Sequence, residues 1–148
     1  MNPITMLVPG TLASRVAGTS MVHSVNGHAA ARSLARLYGA LASGGMVNGI
    51  RVLNPESILR CHGERSSGID ETLGVATRFG LGFMLSQPGA SFGPNPTSFG
   101  HPGAGGSLGF ADPVARVGFG YVMNRMGTSI LVDPRAAALI ESVYACLA

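Results

Sequence analysis

Apolar positions in this chain change period several times, and each change marks an element. Leu34, Leu37, Tyr38 and Leu41 recur at i, i+3, i+4 and i+7, the stripe of an amphipathic helix. Arg32 and Arg36 fall on its opposite side, and Gly44-Gly45 supplies the left-handed stop after it. Upstream, Asn26-Gly27-His28 leads in, while residues 1–25 lack periodicity and read as an irregular lead-in. A turn at Val47-Asn48-Gly49 precedes a brief extended piece, Ile50-Arg51-Val52-Leu53. Asn54-Pro55-Glu56 then has the grammar of a helix start: a capping side chain, proline in the first turn, and an acid near the positive end of the dipole. That helix is short and is expected to end near Cys61.

Residues 62–77 are polar and contain glycine, which reads as a loop. From 79 to 85 the bulky residues Phe79, Leu81, Phe83 and Leu85 alternate with Gly80, Gly82 and Met84, the period of a strand with one bulky face. Five proline or glycine residues between 86 and 98 exclude helix and ladder there. The segment Phe99-Gly100-His101-Pro102-Gly103-Ala104-Gly105-Gly106-Ser107-Leu108-Gly109-Phe110 follows as a second strand, with a turn at Asp112-Pro113 and a third strand over 117–124. Asp133-Pro134 opens a final helix with the stripe Leu139, Ile140, Val143, Tyr144 and Leu147. The expected fold is therefore α/β, of α+β-like character: helices packed on an antiparallel meander of three strands.

Composition narrows the function classes. Hydrophobic residues make up 46% of the 148-residue chain, so it can bury a core. Only 11% are charged, against about 25% in an average soluble domain. Such a surface suits a piece of something larger, or a chain that covers itself in an interface. The net charge of +3 comes from ten arginines and no lysine against seven acids. Apart from Arg32 and Arg36 the arginines are scattered, without the basic stripe and interleaved aromatics of a nucleic-acid surface. Cys61 and Cys146 form no C-x-x-C pair and read as two free thiols, with a lone disulfide as the alternative. The four histidines have no metal-ligand spacing, so no metal is expected. No apolar run approaches the roughly 18 residues of a membrane span. The amino terminus lacks the charged and apolar regions of a secretory signal, which leans toward the cytoplasm.

The chemistry concentrates at residues 99–110. Gly105-Gly106-Ser107-Leu108-Gly109 fits G-x-S-x-G, but a nucleophile elbow needs a helix directly after its serine and a histidine later in the chain. Phe110-Ala111-Asp112-Pro113 follows instead, and no histidine comes after His101. Ser107 is thus a small residue in a crowded strand. Strict G-x-G-x-x-G is absent, and no lysine can serve a phosphate loop. What remains is backbone kept bare for close approach. A free N–H there could donate to a developing oxyanion, an interaction worth about 3 kcal/mol in a transition state. His101 beside it could orient a substrate or share a proton. The alternative is a glycine-tolerant edge strand with a merely buried histidine.

From about Asn26 to Leu147 the sequence resembles the carboxy-terminal part of the serine β-lactamase-like superfamily, in its class C and family VIII carboxylesterase branch. The resemblance rests on Asn26-Gly27-His28 running into Ala31-Arg32-Ser33-Leu34-Ala35-Arg36-Leu37-Tyr38, on Gly44-Gly45 and on Asn54-Pro55-Glu56. Arg78-Phe79-Gly80-Leu81-Gly82-Phe83 extends it. Its most specific part runs from Phe99-Gly100-His101-Pro102-Gly103-Ala104-Gly105-Gly106-Ser107 to Met123-Asn124-Arg125-Met126-Gly127. The resemblance implies an incomplete β-lactamase/transpeptidase-like fold, with residues 26–148 as its carboxy-terminal section.

It also implies roles. His101-Pro102-Gly103 stands where the family's third, K-T-G-type motif belongs, with His101 in place of lysine, as esterase-like members allow. The N–H of Ala104 would be one oxyanion-hole donor. Asn124, Arg125 and Arg135 would lie toward the substrate's carboxylate side, and loop 86–98 would form one rim of the cleft. The parent reaction would be acyl transfer through a serine acyl-enzyme, on a small ester or amide and without a cofactor. A lysine-free chain cannot hold the family's S-x-x-K, and no tyrosine here has Asn or Ser two residues later. Ser24-Val25-Asn26 mimics S-x-N only by coincidence. The expectation is a chain inactive alone, its amino-terminal half missing. The alternative is a short non-catalytic relative that binds or assembles with a partner, or pairs with its own copy.

Overall fold

The computed structural model describes residues 27–148; the expected lead-in 1–25, Asn26 and the Ser24-Val25-Asn26 triplet lie outside the described residues. The elements in chain order are α1 (Ala31–Ala42), β1 (Met46–Val47), β2 (Ile50–Arg51), α2 (Pro55–His62), β3 (Ser66–Ile69) and β4 (Ala76–Phe79). They continue with β5 (Met84–Leu85), β6 (Phe99–Pro102), β7 (Leu108–Asp112), β8 (Val117–Tyr121) and α3 (Pro134–Leu147). The strands β3 to β8 form one six-stranded antiparallel sheet in sequence order, and β1–β2 is a separate hairpin.

Local chemistry sets the ends of the helices. After α1 the N–H of Gly45 reaches back to the Ala40 carbonyl at 2.7 Å, with Gly44 and Gly45 both at positive φ, the closure that glycine favours at a helix carboxy terminus. At α2 the Asn54 side chain accepts the Ser57 N–H at 2.7 Å, and Asp133 caps α3 in the same way through the N–H of Arg135. The β1–β2 turn carries Asn48 (φ 50°) and Gly49 (φ 77°), the mirror-image turn that matches strand twist.

Three expectations are corrected. The stretch expected to be a loop over 62–77 contains β3 and the start of β4. All four residues of β3 are exposed, so no apolar alternation announces this edge strand. It is held by its ladder to β4 and by the Arg78–Glu64 ion pair at 2.5 Å. The single strand expected over 79–85 is instead a hairpin, with Phe79 paired to Met84. The N–H of Gly80 donates to the Phe83 carbonyl at 2.9 Å, and Gly82 sits at φ 79°. Glycine at every second position mimicked a pleat while encoding a turn. The segment 99–110 is likewise not one strand: β6 and β7 flank a turn at 103–107 that Gly105 (φ 89°) and Gly106 (φ 116°) make possible. The meander thus has six strands, not three, and its last strand stops at Tyr121.

The pleat sorts the core into two layers. Leu85, Phe99 and Ala111 face Tyr38, Leu41 and Ala42 of α1 and Ile58 and Cys61 of α2. Met84, Leu108 and Phe110 face Ala136 and Ile140 of α3, together with Phe92. Phe110 stacks between Phe92 and Phe119, at centroid distances of 5.8 and 5.0 Å. The helical stripes shift slightly from expectation. Leu37, Leu139 and Leu147 are exposed, and Ala136 takes a core position of α3.

Candidate active site

Helix α1 packs against the backbone of β7 and β8 at Gly109, Gly118 and Gly120, which leave no room for a side chain. Gly109 and Gly120 are paired partners, as are Ala111 and Gly118. A Cβ at Gly109 would run into the Tyr38 ring, and one at Gly118 into the backbone of Gly39 and the Ala35 carbonyl. Burial pushes the Tyr38 phenol up to about 12. These contacts fix β7, and β7 fixes the turn that precedes it.

His101 is the last outward residue of β6 before that turn, exposed and paired across the sheet with Gly109. Its Nδ1 lies 2.6 Å from the Pro102 carbonyl. A carbonyl only accepts, so Nδ1 carries the proton in this arrangement and a neutral ring presents the Nε2 lone pair. The Phe79 ring lies 6.2 Å from the imidazole, centroid to centroid.

Within the turn the backbone donors are unequally used. The Gly103 N–H donates to Ser107 O at 2.7 Å, the Gly105 N–H to Ser129 O at 3.0 Å, and the Gly106 N–H to Gly103 O at 3.0 Å. The Ala104 N–H, in an exposed residue, has no acceptor among the described residues. Gly103 O and Ala104 N–H share one peptide plane and point in opposite directions. Holding the carbonyl inside the turn therefore directs the N–H outward. A Cβ at Gly103 would collide with Ser107 Oγ, so Ser107 lies behind the turn, and β7 rather than a helix follows it.

The segment after β8 folds back over the same turn. The Gly127 N–H donates to Gly105 O at 2.7 Å, and Arg135 Nη2 donates to that carbonyl at 3.2 Å. Arg135 also donates through Nε and Nη2 to the two carboxylate oxygens of Asp133, at 2.8 and 2.9 Å, and through Nη1 to Arg125 O at 3.0 Å. The Arg135 hydrogen bonds hold the buried Asp133 carboxyl down at about 2, and Asp133 in return raises the guanidinium. Gly103 and Ala104 thus share one turn, His101 precedes it at the end of β6, and Arg125 and Arg135 are tied to it through Gly105. Asn124 is exposed just beyond the end of β8, and its side chain forms no hydrogen bond to that turn.

Loop 86–98 does not form a rim here. The Asn95 side chain donates to Asp112 at 2.7 Å, and Gly93 abuts the Tyr144 ring. Both contacts lie at the Asp112 end of β7, on the order of 13 Å along the strand from the turn. A groove of about 340 Å³ lined by Ser91, Gly93, Pro94, Ala137, Ile140, Glu141 and Tyr144 is at that far end too. The loop joins β5 to β6 where β6 begins, and an antiparallel ladder puts that point opposite the end of β7. Gly105 as a hub and the Asp133–Arg135 pair were not legible as site features. The D-P-R string marks a capped helix start, but nothing in it signals an arginine reaching back 30 residues.

Among the described residues no helix is long and apolar enough to cross a membrane, and no group of three or more His, Cys, Asp or Glu could hold a metal. Cys61 is buried and Cys146 exposed, both as free thiols.

The sequence is 35% identical over 137 residues to the esterase/beta-lactamase LipL of Mycobacterium tuberculosis (strain ATCC 25618 / H37Rv), covering 89% of this chain and 31% of that protein. Among solved structures it is similar to a family VIII carboxylesterase, with 46% identity and a TM-score of 0.74 over 78% of this chain and 31% of the other. It is also similar to a penicillin-binding protein homolog from Caulobacter crescentus, with 44% identity and a TM-score of 0.75 over 79% and 32%. The chain spans about a third of the length of each of these relatives. The sequence model of the beta-lactamase family matches residues 3–142, nearly the whole chain, and this chain belongs to that family.

Proposed function

We propose that this chain forms the third-motif and oxyanion wall of a serine hydrolase that cleaves small esters through an acyl-enzyme. The nucleophilic serine and its lysine come from polypeptide outside these residues. The observation that carries this reading is the outward Ala104 N–H, which has no acceptor among the described residues and lies in a turn that begins two residues after His101. A preorganised donor costs no reorganisation when charge develops on a carbonyl oxygen. His101, exposed and with Nε2 as its available nitrogen, would accept a proton from the attacking serine hydroxyl and return it to the leaving alkoxide. Arg125, with Asn124 beside it in sequence, would attract the acyl side of an anionic substrate. The name of the family VIII carboxylesterase relative, together with histidine in the third motif, favours esters over β-lactams.

This reading makes the chain inactive by itself. A fluorophosphonate probe followed by intact-mass measurement tests it. The expected result is no stoichiometric adduct on the isolated chain, and a serine of this chain labelled one-to-one would overturn the reading. A second arm is gain of function. Co-expression with the S-x-x-K-bearing section of the family VIII carboxylesterase relative is expected to yield p-nitrophenyl butyrate hydrolysis that His101→Ala reduces.

A second reading, a non-catalytic module that assembles with a partner or its own copy, is favoured by one observation. Among the described residues β8 is paired on one side only, to β7. Sedimentation separates the two readings: a monomer at micromolar concentration removes the need for a second copy.

A further inference from the structure

We infer that Asp133 and Arg135 are positioning residues that set the direction of the Ala104 N–H; the inference rests on the reading of the β6–β7 turn as an oxyanion wall. The turn cannot hold its shape by internal bonds alone. Gly105 and Gly106 are both at positive φ, and the two bonds closing the turn, Gly103 N–H to Ser107 O and Gly106 N–H to Gly103 O, leave Gly105 without an internal partner. Every bond to Gly105 comes from the segment after β8. Its N–H goes to Ser129 O, and its carbonyl takes Gly127 N–H and Arg135 Nη2.

Arg135 is held in the pose that reaches that carbonyl. The two carboxylate oxygens of Asp133 grip Nε and Nη2, and Arg125 O takes Nη1. A planar guanidinium gripped on two sides has no torsional freedom left. Asp133 is itself fixed, because the same Oδ1 that binds Nε caps the first turn of α3 through the Arg135 N–H. The pair is then clasped between two glycines from different segments. A Cβ at Gly106 would stand 2.8 Å from Asp133 Oδ2 and 3.0 Å from Arg135 Nη2, and one at Gly127 would stand 2.8 and 2.9 Å from the same atoms. Neither glycine tolerates a side chain without displacing the ion pair. Rotation of the Gly105 peptide would break the Arg135 and Gly127 bonds together. Through Gly106 N–H and Gly103 O, the position of Gly105 sets the plane that carries the Ala104 N–H. The guanidinium, which resemblance alone would aim at substrate, is the outer brace of the oxyanion donor.

Amide exchange by NMR on the whole chain tests this, with Arg135→Gln, Arg135→Lys and wild type compared at neutral pH. In Arg135→Gln the Gly105 and Gly106 amides are expected to exchange at least tenfold faster and the Ala104 cross-peak to move. Phe110 and Phe119 of the β7–β8 ladder should keep their protection. Lysine keeps a charge but not the fork, so Arg135→Lys should fall between the two, and it replaces the glutamine variant if that one does not fold. Protection of Gly105 and Gly106 within twofold of wild type in the folded variants would overturn the inference. Titration with methylphosphonate, a tetrahedral anion, reads the donor itself. The wild-type Ala104 amide should shift, and the shift should require at least tenfold more anion in Arg135→Gln. A wild-type Ala104 amide that ignores methylphosphonate sinks the oxyanion reading, whereas the exchange arm alone decides whether the pair braces the turn.

Discussion

The Tyr144 hydroxyl donates to Asp112 Oδ2 at 2.5 Å and joins the carboxy-terminal helix to the fully buried end of β7. The same carboxylate accepts the Asn95 side chain at 2.7 Å and the N–H groups of Val114 and Ala115 at 2.9 and 3.1 Å. Among the described residues no cation takes part. Four neutral donors replace the water that this carboxylate loses on burial, which is what makes a buried charge tolerable. One side chain thereby fixes loop 86–98, the β7–β8 turn and α3. Desolvation and this bond together push the Tyr144 phenol well above its usual value.

Tyr144→Phe removes one of the four donors while keeping the ring against Gly93. A buried acceptor left short of a partner costs about 1–3 kcal/mol. Urea unfolding should show that loss, with an unchanged slope. The network lies at the opposite end of β7 from His101, so the Ala104 amide shift should stay at its wild-type position. A Tyr144→Phe variant as stable as wild type would mean that water substitutes for the phenol.

The acid limb of stability should belong to Asp133. Its folded value of about 2 lies below the ordinary 3.8 because the Arg135 side chain and backbone bind the ionised form. A depressed carboxyl contributes stability above its unfolded value and loses it as pH falls through the folded one. The window is therefore pH 4 down to 2. Facing charges are few: Arg135 itself, with Tyr121 close enough to act on the guanidinium. Thermal melts of wild type and Asp133→Asn should differ most above pH 4 and converge by pH 2. A gap that persists unchanged at pH 2 would assign the acid limb elsewhere.

The alkaline limb has the opposite sign. Burial raises the Tyr38 phenol from 10 to about 12, so its contribution is complete below pH 10 and is lost as pH rises toward 12. Two units correspond to at most about 3 kcal/mol. Absorbance at 295 nm should show Tyr38 ionising late, together with unfolding, and Tyr38→Phe should flatten stability across that window.

How far the sequence could be read follows from which forces are local. The helix starts at Asn54 and Asp133 were legible because a capping side chain bonds within three residues of itself. Strand β3 was not, since Ser66, Ser67 and Gly68 have no apolar face and pair only because Thr77 to Phe79 lie alongside. Alternating glycines at 80 and 82 satisfied the strand period by accident, since period two does not separate a pleat from a turn that uses glycine for its dihedrals. At the site, His101 and the glycines were visible as a cluster of unusual residues. The bracing of Gly105 by Ser129, Gly127 and Arg135 was not, because it joins segments more than 20 residues apart through the backbone of Gly105, whose atoms every residue type carries.

Gly118→Ala is the sharpest test of how α1 sits on the sheet. The added methyl would meet the N and Cα of Gly39 and the Ala35 carbonyl, all backbone of one helix, so no side chain can rotate away to make room. Overpacking of this kind costs about 1–3 kcal/mol when the surroundings can shift, and more when they cannot. At Gly109 the obstacle is instead the ring of Tyr38, and pairing Gly109→Ala with Tyr38→Leu removes it. The double variant should therefore recover part of the stability that Gly109→Ala loses. No second substitution can remove the backbone facing Gly118, so Gly118→Ala should lose stability that Gly39→Ala, placed on the same crossing, only deepens. Urea midpoints of the four variants measure this directly. A neutral Gly118→Ala would show that α1 can lift from the sheet without cost, and the fixed position of β7 beneath the candidate site would then need another source.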